Sequence, residues 1–196
     1  LFNPGKIVNP PKMDDASYFR YPPSYTVIPV RPKLDWSAWN VQNNPVTEAI
    51  TAAGSEGDPA QGLAKAIDMC NNNGHCRKFD ADVMCPSYRI TRNEKDLTRG
   101  RANTLRLAMS GQLVMNGNEA PPAHLPLATQ AVKEVMDLCV SCKGCKRECP
   151  TGVDMAKMKI EFLVQYKERF GHTLRDRLVA HLPRYAPMIS KVPGLP

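Results

Sequence analysis

The sequence lacks the features of several common protein classes. No stretch of its 196 residues is apolar for long enough to cross a membrane as a helix, and we recognise no secretory signal at its start. It contains no P-loop, no dinucleotide-binding fingerprint and no nucleophile–base constellation. Aromatic residues make up 7% of the chain and do not alternate with basic residues as they do on nucleic-acid-binding surfaces. We therefore expect neither a transmembrane segment nor a nucleic-acid partner, despite the formal net charge of +7.

The seven cysteines are the most informative residues that the sequence does contain. Four of them follow the spacing C-x2-C-x2-C-x3-C-P, as Cys139, Cys142, Cys145 and Cys149 before Pro150. In bacterial ferredoxins with this spacing, the first three thiolates bind one [4Fe–4S] cluster and the fourth binds a different cluster. The motif therefore predicts iron–sulfur chemistry and a second set of cysteines elsewhere in the chain.

The other three cysteines, Cys70, Cys76 and Cys85, form an incomplete copy of this pattern. Asn73 stands where the second cysteine belongs, and Cys85 precedes Pro86 after a longer spacer. A zinc ribbon needs two C-x2-C pairs, and seven thiols do not divide into four-cysteine sites, so we favour iron–sulfur over a structural zinc module. A disulfide framework is typical of small secreted chains with an even cysteine count. Free thiols at cluster spacing indicate a reducing compartment, most simply the cytoplasm.

We call Cys85 and Cys149, which each precede a proline at the end of their run, the closing cysteines. If each run gives its closing cysteine to the cluster of the other run, two ligand sets result. The complete set would hold an ordinary [4Fe–4S] cubane and consists of Cys85, Cys139, Cys142 and Cys145. The other set has only three thiolates, from Cys70, Cys76 and Cys149. Its fourth corner is empty, as in a [3Fe–4S] cluster, or is closed by His75, Asn73 or water. We expect His75 to be a loop residue, and Asn73 to be a turn residue beside Gly74 that tolerates left-handed backbone.

Basic residues flank the predicted ligands on both sides. They are Arg77, Lys78, Lys143, Lys146 and Arg147. Positive charge at these positions would favour the reduced, more negative cluster and raise its potential, since net charge is one determinant of that potential. Taken singly, each residue is also explained as a solvated surface charge.

Helical spacing of apolar residues dominates the chain after Pro59. It predicts helices over 60–70, 95–110, 127–139 and 154–170, and a last helix that carries Leu174, Leu178 and Leu182. Asp154 and Thr173 are the predicted N-terminal caps of the last two helices, and Gly171 ends the first of them.

Half of the 18 prolines lie within the first 59 residues, where they break every candidate helix or central strand. We expect 1–58 to be an extended arm that lies over another surface, with one short edge strand at 25–30. A helical iron–sulfur domain follows at 59–182, and a proline-interrupted tail at 183–196. The predicted fold class is therefore all-α, with an extended proline-rich arm before the helical domain.

Several separated motifs resemble one family in the same order along the chain. They are Cys70-Asn-Asn-Asn-Gly-His-Cys-Arg77, Met84-Cys-Pro-Ser-Tyr88, Thr98-Arg-Gly-Arg-Ala102 and Cys149-Pro-Thr-Gly-Val-Asp-Met155. Together they resemble the iron–sulfur module of large FAD-linked D-2-hydroxyacid dehydrogenases, of the D-lactate and D-2-hydroxyglutarate types. That module is similar to the helical two-cluster ferredoxin domain of succinate dehydrogenase iron–sulfur subunits. These relatives usually carry a complete C-x2-C-x2-C in the first run, so Asn73 leaves the type of the second cluster open.

The resemblance implies an electron-transfer module without catalytic residues of its own. Phe2-Asn-Pro-Gly-Lys-Ile-Val8 resembles the C-terminal end of the flavin domain in that family, so the FAD-binding body would lie outside this chain. Electrons would pass from FAD through the clusters to a quinone or a redox protein, in the cytoplasm or at the inner membrane face. The alternative is a stand-alone ferredoxin-like subunit, as in the anaerobic glycerol-3-phosphate dehydrogenase.

Overall fold

The structure, a computed structural model, describes residues 25–40, 42–43, 50–51, 58–79, 83–113 and 120–190. Within these residues lie seven α-helices: α1 (Leu63–Asp68), α2 (Pro86–Thr91), α3 (Thr98–Met109), α4 (Gln130–Asp137), α5 (Gly144–Glu148), α6 (Met155–Phe170) and α7 (Leu174–Ile189). Short 3-10 turns cover Ser37–Trp39, His75–Arg77 and Glu94–Asp96. Two-residue strands β1 (Gln42–Asn43) and β2 (Ile50–Thr51) pair antiparallel, with Gln42 opposite Thr51. The predicted all-α class is confirmed, since this pairing is too short to form a layer.

Helix α3 lies at the centre of the core and packs against α1, α4 and α6. Its Leu105 and Met109 side chains are fully buried, as is Phe162 of α6. Burying an apolar side chain of this size contributes about 1.5–3 kcal/mol. These side chains recur at helical spacing, which is why the sequence pattern alone locates the helices.

The ends of the last two helices agree with the predicted caps. The Asp154 carboxylate accepts the Lys157 N–H at 3.0 Å, and α6 ends at Gly171 with a positive φ of 77°. At the start of α7, the Thr173 hydroxyl accepts the Asp176 N–H and the Asp176 carboxylate accepts the Thr173 N–H. This reciprocal pair is a capping box, which stabilises an N-terminus by satisfying two free donors.

Two predictions about the ends of the domain are wrong. Residues 25–30 form no edge strand, because Ile28 and Val30 donate single N–H bonds to the Met109 and Pro59 carbonyls and not to a neighbouring strand. Helix α7 continues to Ile189, so the predicted break at 183 is also wrong. Its two prolines, Pro183 and Pro187, are four residues apart and so lie on one side of the helix. Each proline lacks an N–H donor, so helical hydrogen bonds are lost on that side only. The parts of the predicted arm at 1–24, 41, 44–49 and 52–57, and of the predicted tail at 191–196, lie outside the described residues.

Residues 25–36 lie across the helical core. The fully buried Glu161 carboxylate of α6 accepts the Lys33 and Leu34 N–H groups at 2.9 Å each and the Trp36 indole N–H at 3.3 Å. Trp36 is itself buried, and the Lys157 ammonium lies 4.1 Å from its ring centroid. Glu161 therefore anchors the arm to α6 through three donors.

None of the helices in the described ranges has the length and apolar character that crossing a lipid bilayer requires.

Candidate metal centre

Four thiols that the sequence assigns to one ligand set line a single cavity. The lining of this cavity, the four-thiol cavity, includes Cys85, Cys139, Cys142 and Cys145. Cys85 and Cys145 are buried, Cys139 is half-buried and Cys142 is exposed. Thiolates are soft ligands that suit iron–sulfur clusters, so the donor set fits the predicted cubane. The structure thus brings Cys85 to the 139–145 run across a separation of more than 50 residues in sequence.

The loop that carries Cys139, Cys142 and Cys145 is tightly wound. Ser141 and Lys143 have positive φ values of 54° and 61°, which are unfavourable for residues with a side chain. A Cβ at Gly144 would lie 2.9 Å from the Val83 side chain and 3.6 Å from Cys142 Sγ. Glycine at 144 therefore lets the loop approach the segment before Cys85.

Glu148 holds that segment in place. Its carboxylate, at the end of α5, accepts the Val83 N–H at 3.0 Å and the Met84 N–H at 2.8 Å. Cys85 follows directly at the N-terminus of α2, with Pro86 in the first helical turn, where the missing N–H is not needed. The sequence alone does not identify Glu148, because it occupies a spacer position of the cysteine motif that carries no ligand.

Cys85 lies in surroundings that stabilise a thiolate. Arg101 of α3 donates Nη1–H to Cys85 Sγ at 3.4 Å, and the Ser87 hydroxyl lies 3.5 Å from the same sulfur. Burial pushes the pKa of the Cys85 thiol upward, but the Ser87 hydrogen bond and the Arg101 charge outweigh it, so the pKa lies below its usual value. Since the thiolate is the form that binds metal, these contacts favour ligation.

Cys145 is in the opposite situation. Burial, together with the nearby Cys139 and Cys142 thiols, raises the pKa of Cys145 to about 11, against hydrogen bonds from the backbone of Met155 and Lys146. The thiol must therefore lose its proton on binding a metal, which makes binding weaker at low pH.

Cys70 and Cys76 form the start of a second site beside α1 and α3. Both are buried, and burial raises the pKa of Cys76, with a smaller upward contribution from neighbouring Cys70. The Arg99 N–H, in the first turn of α3, opposes this rise. The two thiols thus lie near the N-terminus of α3, where the helix dipole favours negatively charged groups.

The loop between these two cysteines agrees with the predicted turn. Asn73 Oδ1 accepts the His75 N–H at 2.8 Å, and Asn73 Nδ2 donates to Asn71 Oδ1 at 2.6 Å. Left-handed backbone occurs on either side of Asn73, at Asn72 with φ 63° and at Gly74 with φ 77°. Asn73 is thus a turn residue beside Gly74, with its side chain bonded inside the turn. His75 is half-buried.

Cys149 lies against hydrogen-bond donors that follow it in the chain. The Thr151 hydroxyl lies 3.2 Å from Cys149 Sγ. Burial raises the pKa of Cys149. This hydroxyl and the N–H groups of residues 151–153 lower it by a larger amount, so the pKa lies below its usual value. Consecutive N–H groups in such a turn form a small anion-binding concavity. The assignment of Cys149 to the Cys70–Cys76 site stays a prediction.

Comparison with known proteins identifies the class of this region. Residues 66–153 match the 4Fe-4S dicluster domain family, and this range includes all seven cysteines. The resemblance inferred from the sequence is confirmed, and the match supports a [4Fe–4S] cluster and an iron–sulfur electron-transfer role.

The similar proteins are named D-2-hydroxyglutarate dehydrogenases. The one from Pantoea ananatis is 36% identical over 152 residues, which cover 64% of this chain and 15% of the relative. The one from Escherichia coli is 34% identical over 150 residues, which cover 63% of this chain and 15% of the relative. The match thus spans about 15% of the length of these relatives. No solved structure is significantly similar to this chain.

Proposed function

We propose that this chain is an electron-transfer module that binds two iron–sulfur clusters and passes single electrons from a flavin to a downstream acceptor. The observation that carries the proposal is the convergence of Cys85 with Cys139, Cys142 and Cys145 around the four-thiol cavity. Iron–sulfur clusters supply the one-electron chemistry when bound. The residues of this chain supply the thiolates, the burial of the site and the local charge.

The second cluster would be bound by Cys70, Cys76 and Cys149. Three thiolates are compatible with a [3Fe–4S] cluster, or with a [4Fe–4S] cluster whose fourth iron has a non-cysteine ligand. The hydrogen bonds of Asn73 to Asn71 and His75 support a turn role for Asn73, because its amide oxygen and nitrogen already have partners within the loop.

The source of the electrons is proposed from the relatives. If the parent protein has the activity that their name states, a flavin would oxidise a D-2-hydroxyacid and pass electrons to this module. The match covers about 15% of each relative, so ample length remains there for a flavin-binding part. This favours a module of a large polypeptide over a stand-alone ferredoxin-like subunit. Residues 1–58 would then be the linker from the flavin domain, and the acceptor would be a quinone or a redox protein.

Cofactor analysis of the chain tests this function. Anaerobically purified protein should contain about seven to eight iron atoms per chain and a similar amount of acid-labile sulfide, as expected for two clusters. Dithionite should then produce an electron paramagnetic resonance signal, and photoreduced FAD should transfer electrons to the clusters in stopped-flow absorbance. Stoichiometric zinc without sulfide would contradict the proposal and indicate a structural zinc module.

A further inference from the structure

A buried arginine lies next to the four-thiol cavity. Arg101 of α3 is 1% exposed. Its guanidinium donates Nε–H to the Val135 carbonyl at 2.7 Å, Nη2–H to the Ser87 hydroxyl at 2.9 Å and Nη1–H to Cys85 Sγ at 3.4 Å. None of the ion pairs formed by the described residues involves Arg101.

The positive charge of Arg101 therefore requires an anionic partner, in addition to hydrogen bonds with neutral groups. Removing a guanidinium from water costs far more than bonds to a neutral carbonyl and a hydroxyl return. Among the three groups that Arg101 contacts, the Val135 carbonyl and the Ser87 hydroxyl are neutral, and only the Cys85 sulfur can carry a negative charge as a cluster ligand. The site is thus matched to a thiolate, or to a negatively charged cluster bound through that thiolate.

We propose that Arg101 is a positioning residue that holds the Cys85 thiolate toward the four-thiol cavity and raises the reduction potential of the cluster bound there. This inference rests on the proposed function. Reduction adds negative charge to the cluster, and a fixed positive charge with an N–H···S hydrogen bond stabilises the reduced state more than the oxidised one. The Ser87 hydroxyl extends the effect, since it accepts from Arg101 and lies against the same sulfur.

A purely structural role is the competing explanation. Arg101 also satisfies the Val135 carbonyl in the last turn of α4, and that bond alone would tie α3 to α4. Loss of such a tie would lower thermal stability but would leave the potential of a loaded cluster unchanged. The potential is therefore the measurement that separates the two roles.

The test is a potentiometric titration of the cluster-loaded chain, followed by electron paramagnetic resonance, for wild type, Arg101→Gln and Arg101→Lys. We expect Arg101→Gln to shift the potential of the cluster bound by Cys85 downward and to leave the other cluster unchanged. Arg101→Lys should give a smaller downward shift, because an ammonium keeps the charge but lacks the planar fork that reaches Cys85 and Ser87 together. The matched control is Lys133→Gln, which removes a positive charge paired with Asp137 on the surface of α4 and should move neither potential.

If Arg101→Gln, or Arg101→Lys where only that variant loads its clusters, keeps the wild-type potential at the cluster bound by Cys85, the inference is overturned. This holds even if the melting temperature of the variant falls. Equal shifts of both clusters would overturn it as well, since the contact to Cys85 is local. Failure of the wild-type chain to bind any cluster is a different result, because it contradicts the proposed function itself.

Discussion

Two hydroxyl groups occupy equivalent positions beside the two closing cysteines. Ser87 follows Cys85 by two residues and Thr151 follows Cys149 by two residues, with oxygen–sulfur distances of 3.5 and 3.2 Å. Each hydroxyl lowers the pKa of its cysteine against the effect of burial. The sequence contains this repeat as Cys-Pro-Ser and Cys-Pro-Thr, but a hydroxyl two residues after a cysteine does not by itself indicate a contact with the sulfur.

Removing either hydroxyl should affect only one cluster. A net hydrogen bond of about 0.5–1.5 kcal/mol corresponds to roughly 20–60 mV for a one-electron couple. We therefore expect Ser87→Ala to lower the potential of the cluster in the four-thiol cavity by at most that amount, because only the difference in bond strength between the two redox states counts. Thr151→Val should lower the potential of the cluster bound by Cys149, while Thr151→Ser, which keeps the hydroxyl, should have little effect. Shifts of the same cluster by Ser87→Ala and Thr151→Val would be incompatible with exchanged closing cysteines.

Among the larger elements, residues 33–36 of the arm are bound by one carboxylate of α6. Glu161 accepts backbone N–H groups from Lys33 and Leu34, the Trp36 indole and a weaker bond from Gln165 at 3.4 Å. On the exposed side of the same contact, Lys33 and Glu168 form an ion pair at 3.2 Å whose side chains are about half exposed. Of these two contacts the buried carboxylate contributes more, since exposed pairs contribute little.

Chemical unfolding can separate these two contributions. Glu161→Ala should lower the free energy of unfolding by about 3 kcal/mol or more, because several buried donors lose a charged acceptor together. Glu168→Ala, the control on the same helix, should cost less than about 1 kcal/mol. Equal losses in urea titrations of the two variants would mean that the arm is not anchored through Glu161.

The elements also show which parts of the fold were predictable. Long helices such as α3 and α6 were found because their apolar side chains repeat at helical spacing over 12 and 16 residues. Helices α2 and α5 were missed because they have only six and five residues and begin where the cysteine turns end. The length of α7 was underestimated because a proline inside a helix usually ends it. Leucines of α7 keep the predicted spacing although none of its residues is buried.

For the molecule as a whole, the two cysteine runs are interdependent. Cys85 belongs to the first run in sequence but lines a cavity with the second, and Glu148 of the second run binds the backbone just before Cys85. The motif spacing predicts that Cys85 lies near the second run, because a fourth cysteine followed by proline points away from its own turn. Arg101 and Glu148 were not predictable as site residues, since their roles depend on contacts between residues far apart in sequence.

The arrangement proposed for the whole molecule exchanges the closing cysteines between two clusters. Electron paramagnetic resonance of Cys85→Ser, Cys142→Ser and Cys149→Ser, each purified anaerobically, tests it most directly. We predict that Cys85→Ser and Cys142→Ser alter or remove the same cluster signal, because both thiols line the four-thiol cavity. Cys149→Ser should leave that signal intact and affect the other cluster. If Cys142→Ser and Cys149→Ser instead abolish one common signal while Cys85→Ser spares it, each run binds its own cluster and the account is contradicted.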